Sequence, residues 1–229
     1  MGGQACVFYG AAQVSKDIDF LVLAEEANFE SLLGAIDLLQ AVRIAVPPFD
    51  PVTLGRGHAV HFRCKAPGVE GLRIDIMTKL RDLSDFEKLW ERRTVFSDGG
   101  GMEFHLLSIP DLVNAKKTQR GKDWPVIDAL VSIHHTENSD SPTSEWIEFW
   151  LSEARSPELL IDLVQRFSSE VPRLAEKRPL LNLAVSGDLP RLREALDAEV
   201  RAEQEKDRVY WEPLKREMEE FRRLERLSQ

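Results

Sequence analysis

A mixed α/β (α+β) core followed by an all-helical C-terminal part is the fold predicted for this chain of 229 residues. Three observations carry that expectation. Residues 1–80 hold short segments with strand-type alternation, helical spacing lies between them, and past a polar stretch at 137–143 every apolar stripe has helical spacing.

The elements follow in order. Gln4–Tyr9 is short and apolar and reads as a brief helix, ending at the small residues Gly10, Ala11 and Ala12. Asp17-Ile18-Asp19-Phe20-Leu21-Val22-Leu23 is a strand by its β-branched and aromatic content. Ala27–Gln40 places Phe29, Leu32, Leu33, Ile36 and Leu39 at helical spacing, and Pro47, Pro48 and Pro51 break regular structure. Ala59–Lys65 alternates, with Val60, Phe62 and Cys64 on one face and His61 and Arg63 on the other. After a turn at Gly68 and Gly71, Leu72–Met77 puts Ile74 and Ile76 on one face and Arg73, Asp75 and Met77 on the other, so the two strands form a hairpin. Ser84 reads as the N-cap of a helix through Arg92, with Glu87 at the capping-box position. Glu103–Ile109 is a short strand, Pro110 opens a helix, and Lys122–His135 is the next helix with Pro125 in its first turn. The polar stretch then separates residues 1–136 from a helical region, 144–229. There Trp146, Phe149, Trp150 and Leu151 form one stripe, and Leu159, Leu160, Leu163, Val164 and Phe167 form another. Residues 191–229 are densely charged and read as a solvated helix or helical hairpin.

Composition narrows the class. With 43% apolar and 30% charged residues the chain is neither collagen-like nor generally disordered. No run of about 18 apolar residues exists, so no membrane partner is expected. The first ten residues lack a basic segment followed by an apolar one, so no secretory signal is expected and a cytoplasmic location is the default. Cys6 and Cys64 then read as reduced, buried thiols. The net charge of −9 argues against wholesale coating of nucleic acid but leaves room for a local basic site.

The most informative residues are acidic. Asp17 and Asp19 stand two apart on a strand, so both carboxylates share one face while Ile18 and Phe20 take the other. Such a pair repels itself unless a cation compensates, and a hard divalent ion, Mg²⁺ or Mn²⁺, prefers oxygen ligands of this kind. Asp75 occupies the corresponding position between Ile74 and Ile76, and three carboxylates converge if the strands are neighbours. That set suffices to hold metal and a nucleoside triphosphate. Gly2-Gly3, ahead of a short helix, lets backbone N–H groups approach a phosphate closely. Farther on, Lys116, Lys117, Arg120 and Lys122 form the densest basic cluster, with Lys116 and Arg120 on one helical face.

Gly2-Gly3-x-Ala5, Tyr9-Gly10, Ser15-x-Asp17-Ile18-Asp19-Phe20-Leu21-Val22 and Arg73-Ile74-Asp75-Ile76 together resemble the nucleotidyltransferase superfamily. Within it the chain is most similar to the minimal bacterial type grouped with abortive-infection toxins of the AbiEii kind, whose later segment appears here as Leu112-Val113-Asn114-Ala115-Lys116-Lys117, Arg120, Lys122-Asp123 and Asp128. The likeness covers about residues 1–135. It implies a mixed sheet flanked by helices and transfer of a nucleoside monophosphate from a nucleoside triphosphate to a hydroxyl on an RNA end, a protein or a small molecule, in a toxin–antitoxin or phage-defence setting with an antitoxin-type protein partner. It implies that Asp17, Asp19 and Asp75 bind metal, with Asp75 also orienting the attacking hydroxyl. Gly2, Gly3 and Ser15 would hold phosphates, and Lys117, Arg120 and Lys122 would lie near the triphosphate or acceptor.

Two departures favour an alternative, a nucleotidyltransferase-like fold that has lost catalysis and serves as a binding or regulatory partner. Gln13 stands where the family often has arginine, and Gln cannot supply that charge. Related proteins also carry a helix and most of a strand before the Gly-Gly turn, so either a start upstream of Met1 or a sheet without its first strand is expected. Elsewhere, His58 and His61 point to opposite faces of a strand and do not share a metal, Gly99-Gly100-Gly101 reads as a hairpin turn, and Trp124 reads as core.

Overall fold

Alternation is what makes the sheet two-faced. In the computed structural model, which describes residues 1–227, four strands run in the order β1 (Asp17–Leu21), β4 (Arg73–Met77), β3 (Val60–Arg63) and β2 (Val42–Arg43). β1 is parallel to β4, while β4–β3 and β3–β2 are antiparallel, so the expected hairpin and the mixed sheet are both present. One face carries Ile74, Ile76, Val60, Phe62 and Cys64, all buried. Ile18 of β1, Val22 just after it, and the apolar stripe of α2 (Glu26–Leu38), namely Phe29, Leu32 and Ile36, pack against them. The opposite face carries the charges. A helix, α1 (Gly2–Phe8), packs on β1.

The rest of this first unit builds on local signals. α3 (Pro51–Arg56) is capped by Asp50, whose carboxylate accepts from the Thr53 N–H, and Pro51 sits at its first position. α4 (Phe86–Glu91) begins after Asp85; Ser84, the expected cap, instead accepts a hydrogen bond from Arg92. A separate hairpin of β5 (Thr94–Ser97) and β6 (Glu103–Leu106) turns at Gly99–Gly101 as expected, and α5 (Ile109–Ala115) begins beside Pro110.

The second unit is helical. A single 3₁₀ turn, Gly121–Asp123, leads into α6 (Trp124–Asn138), followed by α7 (Ser144–Glu153), α8 (Pro157–Arg166), α9 (Val171–Ala175) and α10 (Leu181–Ser186). Thr143 and Ser156 cap α7 and α8. Trp150, Leu151, Leu160, Leu163 and Leu181 are fully buried in its core. The last element, α11 (Leu189–Leu227), is one helix of 39 residues rather than a hairpin.

By its contacts the chain divides into Met1–Phe8, Ala12–Ala115 and the residues from Val209 onward in one unit, and Tyr9–Ala11 with Lys116–Arg208 in the other. The border expected at 136–144 therefore falls inside the second unit. One reason lies in the pairing of side chains. The end of α11 is held within the first unit by Glu217 on the buried His58 at 2.9 Å and by Glu225 on Arg43 at 2.6 Å, contacts that sequence spacing does not reveal. No helix among the described residues is long and apolar enough to cross a membrane.

Candidate functional site

The charged face of the sheet is laid out by register. Parallel pairing sets Asp19 beside Asp75 and Asp17 beside Arg73, and antiparallel pairing sets His61 beside Asp75. Paired residues on adjacent strands share a face. Asp19, Asp75 and His61 thus form one row across the sheet, and Asp17, Arg73 and Arg63 form the next.

Within this face the charges have unequal fates. Asp75 is buried and held by Arg73, whose Nε and Nη2 donate to its two oxygens at 2.8 Å each. His61 Nδ1 lies 2.8 Å from the same carboxylate. Burial pushes the Asp75 pKa up, but the hydrogen bonds and charges of His61 and Arg73 outweigh it and leave the group below its ordinary value. Asp19 is the opposite case. Burial first, and then the neighbouring charges of Asp17 and Asp75, hold its pKa above the ordinary value. The charge of the N-terminal ammonium and then the Gly3 N–H, at 3.4 Å, give Asp19 only partial relief. Arg73 feels Asp17 and Asp19 through charge alone, since its hydrogen bonds go to Asp75.

The glycine pair is placed by the same residues. Both glycines lie within α1. Gly2 has φ +67°, and a Cβ there would sit 1.8 Å from Asp19 Oδ2. A Cβ on Gly3 would sit 2.3 Å from Ser15 Oγ. Ser15 in turn donates from Oγ to the Asp17 carbonyl at 3.0 Å and lies 3.2 Å from Asp17 Oδ1. The backbone of α1 can therefore lie against the Asp17–Asp19 pair only because positions 2 and 3 have no side chain.

Gly2, Gly3, Ser15, Asp17, Asp19 and Asp75 are thus gathered on one face of the first unit. The three carboxylates are not a ready metal centre, however. Among the described residues no three His, Cys, Asp or Glu side chains are grouped so as to hold a metal ion. The clamp on Asp75 accounts for this, because Arg73 and His61 occupy the oxygens that a cation would use. Asp17 and Asp19 supply two hard oxygen donors on one face without a hydrogen-bonded cation, which suits a divalent ion; Asp75 in its present pairing does not.

Lys117, Arg120 and Lys122 belong to the second unit, where the first two are engaged. Lys117 reaches Glu153 at 2.6 Å, both side chains being mostly buried. Lys116 and Asp123 are buried and pair at 3.2 Å, while Arg120 Nε and Thr118 Oγ1 donate to the other oxygen of Asp123 at 2.8 and 2.6 Å. These partners hold the Asp123 carboxyl below its ordinary pKa against the upward push of burial. Lys122 is exposed. Trp124 is buried and donates from Nε1 to the Thr118 carbonyl, which fits the expected core role. Cys6 and Cys64 are buried and unbridged, as expected.

Sequence reading did not single out a recess beside β1, lined by Phe20, Leu21, Phe86, Trp90, Arg93 and His105 among others. Trp90 and Phe20 are exposed large rings in it. The sequence signal was there, in Trp90 on α4 with arginine three residues later. Comparison with protein-family models, with curated proteins and with solved structures gives no match to this chain.

Proposed function

We propose that the first unit is a metal-dependent nucleotidyltransferase that moves a nucleoside monophosphate from a nucleoside triphosphate to a hydroxyl acceptor. The single observation that carries this reading is the half-buried Asp17–Asp19 pair, where burial and mutual charge raise the Asp19 pKa against the pull of the N-terminal ammonium and the Gly3 N–H, with the glycines of α1 lying against it. Half-buried like charges of this kind favour a group that brings positive charge. The resemblance of the Gly-Gly, Asp-x-Asp and later Asp segments to nucleotidyltransferases supplies the reaction class.

In that reaction the acceptor oxygen forms a bond to the α-phosphorus as the α–β bridging bond breaks. Pyrophosphate departs and the hydroxyl proton passes to water. Mg²⁺ or Mn²⁺, when bound, would supply charge neutralisation on the phosphates. The chain's own residues do the positioning. Asp17 and Asp19 would hold the ion, and Ser15 fixes the Asp17 carboxylate by its hydrogen bond. Gly2 and Gly3 keep the face open to the phosphates. Arg73, fixed by Asp75, adds a cation beside the acidic pair. An RNA end, a protein or a small molecule is the acceptor this reading proposes, and an antitoxin-type protein its proposed partner.

The test incubates purified protein with radiolabelled nucleoside triphosphates, Mg²⁺ and total cell RNA or lysate. Label transfer that is lost in Asp17→Ala and Asp19→Ala is the expected result. A specific observation favours the second reading, a binding protein without catalysis: the third carboxylate is closed by Arg73 and His61. Metal-dependent nucleotide binding that needs Asp17, without any label transfer, would select it.

A further inference from the structure

We infer that Arg73 is a phosphate ligand mounted on Asp75 and His61, and that the site takes a single divalent cation, on Asp17 and Asp19, with the Arg73 guanidinium as its built-in second positive charge. The inference rests on the reading of Asp17 and Asp19 as the cation pair. It adds the group that recognises the phosphates, and it gives Asp75 a positioning role in place of a metal ligand's.

Register places the guanidinium. Arg73 pairs with Asp17 across the β1–β4 ladder, and strands so paired lie about 4.8 Å apart. Its side chain leaves the sheet on the same face as the carboxylates of Asp17, Asp19 and Asp75, and it feels the charges of Asp17 and Asp19. The Arg73 side chain is 39% exposed and that of Asp75 7%, so the pair has an open end and a closed one.

The donors are then divided between the two ends. Arginine carries five N–H donors in a rigid fork. Nε and Nη2 are spent on the two oxygens of Asp75, and Nη2 also lies 3.1 Å from His61 Nδ1. Nη1, with two N–H groups, has no acceptor among the described residues. A guanidinium fixed along one edge and open at the other loses little freedom when it takes a phosphate oxygen, and arginine–phosphate pairs are among the strong hydrogen bonds. The same grip keeps Asp75 from a metal, because a cation arriving there would have to displace Arg73 from both oxygens and His61 from one. The three carboxylates and the guanidinium together leave two negative charges on this face, which one divalent ion balances.

The experiment is equilibrium dialysis of the full chain against radiolabelled Mn²⁺ and, at fixed Mn²⁺, against radiolabelled inorganic pyrophosphate. The unaltered protein is expected to take up one Mn²⁺ per chain and to bind pyrophosphate only when Mn²⁺ is present. Arg73→Gln is expected to weaken pyrophosphate by about tenfold and to retain the Mn²⁺, since a charge-assisted hydrogen bond is lost from the phosphate and none from the ion. Arg73→Lys should recover only part, because an ammonium cannot grip Asp75 and a phosphate through separate edges. Asp75→Asn should keep Mn²⁺ uptake and weaken pyrophosphate several-fold, and adding it to Arg73→Gln should cost nothing further, as for residues that act as one unit. Mn²⁺ uptake lost in Asp75→Asn, or two Mn²⁺ per chain in the unaltered protein, would overturn the single-cation site. Pyrophosphate bound equally well by Arg73→Gln would overturn the phosphate role and leave the cation pair intact. Pyrophosphate bound without Mn²⁺, and equally by Asp17→Asn/Asp19→Asn, would keep Arg73 as an anion site and overturn the reading of the acidic pair. No Mn²⁺ uptake by the unaltered protein would overturn both.

Discussion

Two clusters of charge in this molecule are built on opposite principles. In the second unit, Lys116, Lys117 and Arg120 each meet a carboxylate, and Asp123 accepts from three side chains at once. In the first unit, Asp17 and Asp19 face one another with Asp75 alongside, and the nearest guanidinium gives its hydrogen bonds to Asp75. Both stretches look equally charged in the sequence. The difference teaches that a charge cluster satisfied from within maintains structure, whereas one left in mutual repulsion is, on the reading proposed above, the one a bound cation would complete.

The comparison breaks first, and most visibly, in the second unit. Asp123→Ala leaves the buried Lys116 ammonium without its counter-ion, and such a loss costs about 3–5 kcal/mol. Urea denaturation should show a correspondingly lower midpoint. Unchanged stability would mean that this pair is not structural. The matching change in the first unit is smaller. Arg73→Gln removes the clamp from Asp75, and with a partly exposed arginine the loss is about 1 kcal/mol after screening by water. The same variant should bind divalent cation more tightly if Asp75 is then released to the acidic face.

Asp19→Asn sharpens the contrast because its sign is reversed. The Asp19 pKa is raised above 3.8, so its contribution to stability is full below that value and is lost as pH rises through the raised pKa. Asp75, whose pKa is lowered, contributes above 3.8 and loses that contribution as pH falls through its own lower value. Asp19→Asn should therefore gain on the unaltered protein as pH rises from about 3 towards neutrality, and Asp75→Asn should lose ground over the same interval. Denaturation midpoints in a pH series decide it; parallel curves for the two variants would erase the distinction between the two carboxylates. The cap of α8 is of the same order as the Arg73 loss: Ser156→Ala costs about 1 kcal/mol. At the bottom of the scale, Glu205→Ala breaks an exposed pair with Arg208 on α11 and should leave the midpoint unmoved.

Much of the fold was legible because it rests on period. The alternation in Asp17–Leu21 and Arg73–Met77 placed the carboxylates on one face and the isoleucines on the other, as they are found. The helices after 144 were legible from their stripes. β2 was not, since two residues carry no period, and the start of α1 was missed because two glycines weaken a helix signal, although the helix itself was read from Gln4 onward. Their presence is explained only by the approach of Asp19 and Ser15. In the site, Arg73 and Asp75 were visible as neighbours on one face, but their closing on one another depends on side-chain conformation. Lys117 looked available because its partner, Glu153, lies 36 residues away. Side-chain pairing is what the sequence withholds, over 36 residues for Lys117 and over three to seven for the partners of Asp123.

The most direct test titrates Mn²⁺ into the protein and follows the free ion by electron paramagnetic resonance, comparing the unaltered chain with Asp17→Asn/Asp19→Asn and with Lys117→Ala. If the acidic pair is arranged for a cation, the unaltered protein and Lys117→Ala take up Mn²⁺ at one saturable site and the double variant does not. Equal uptake by all three, or none by any, contradicts it.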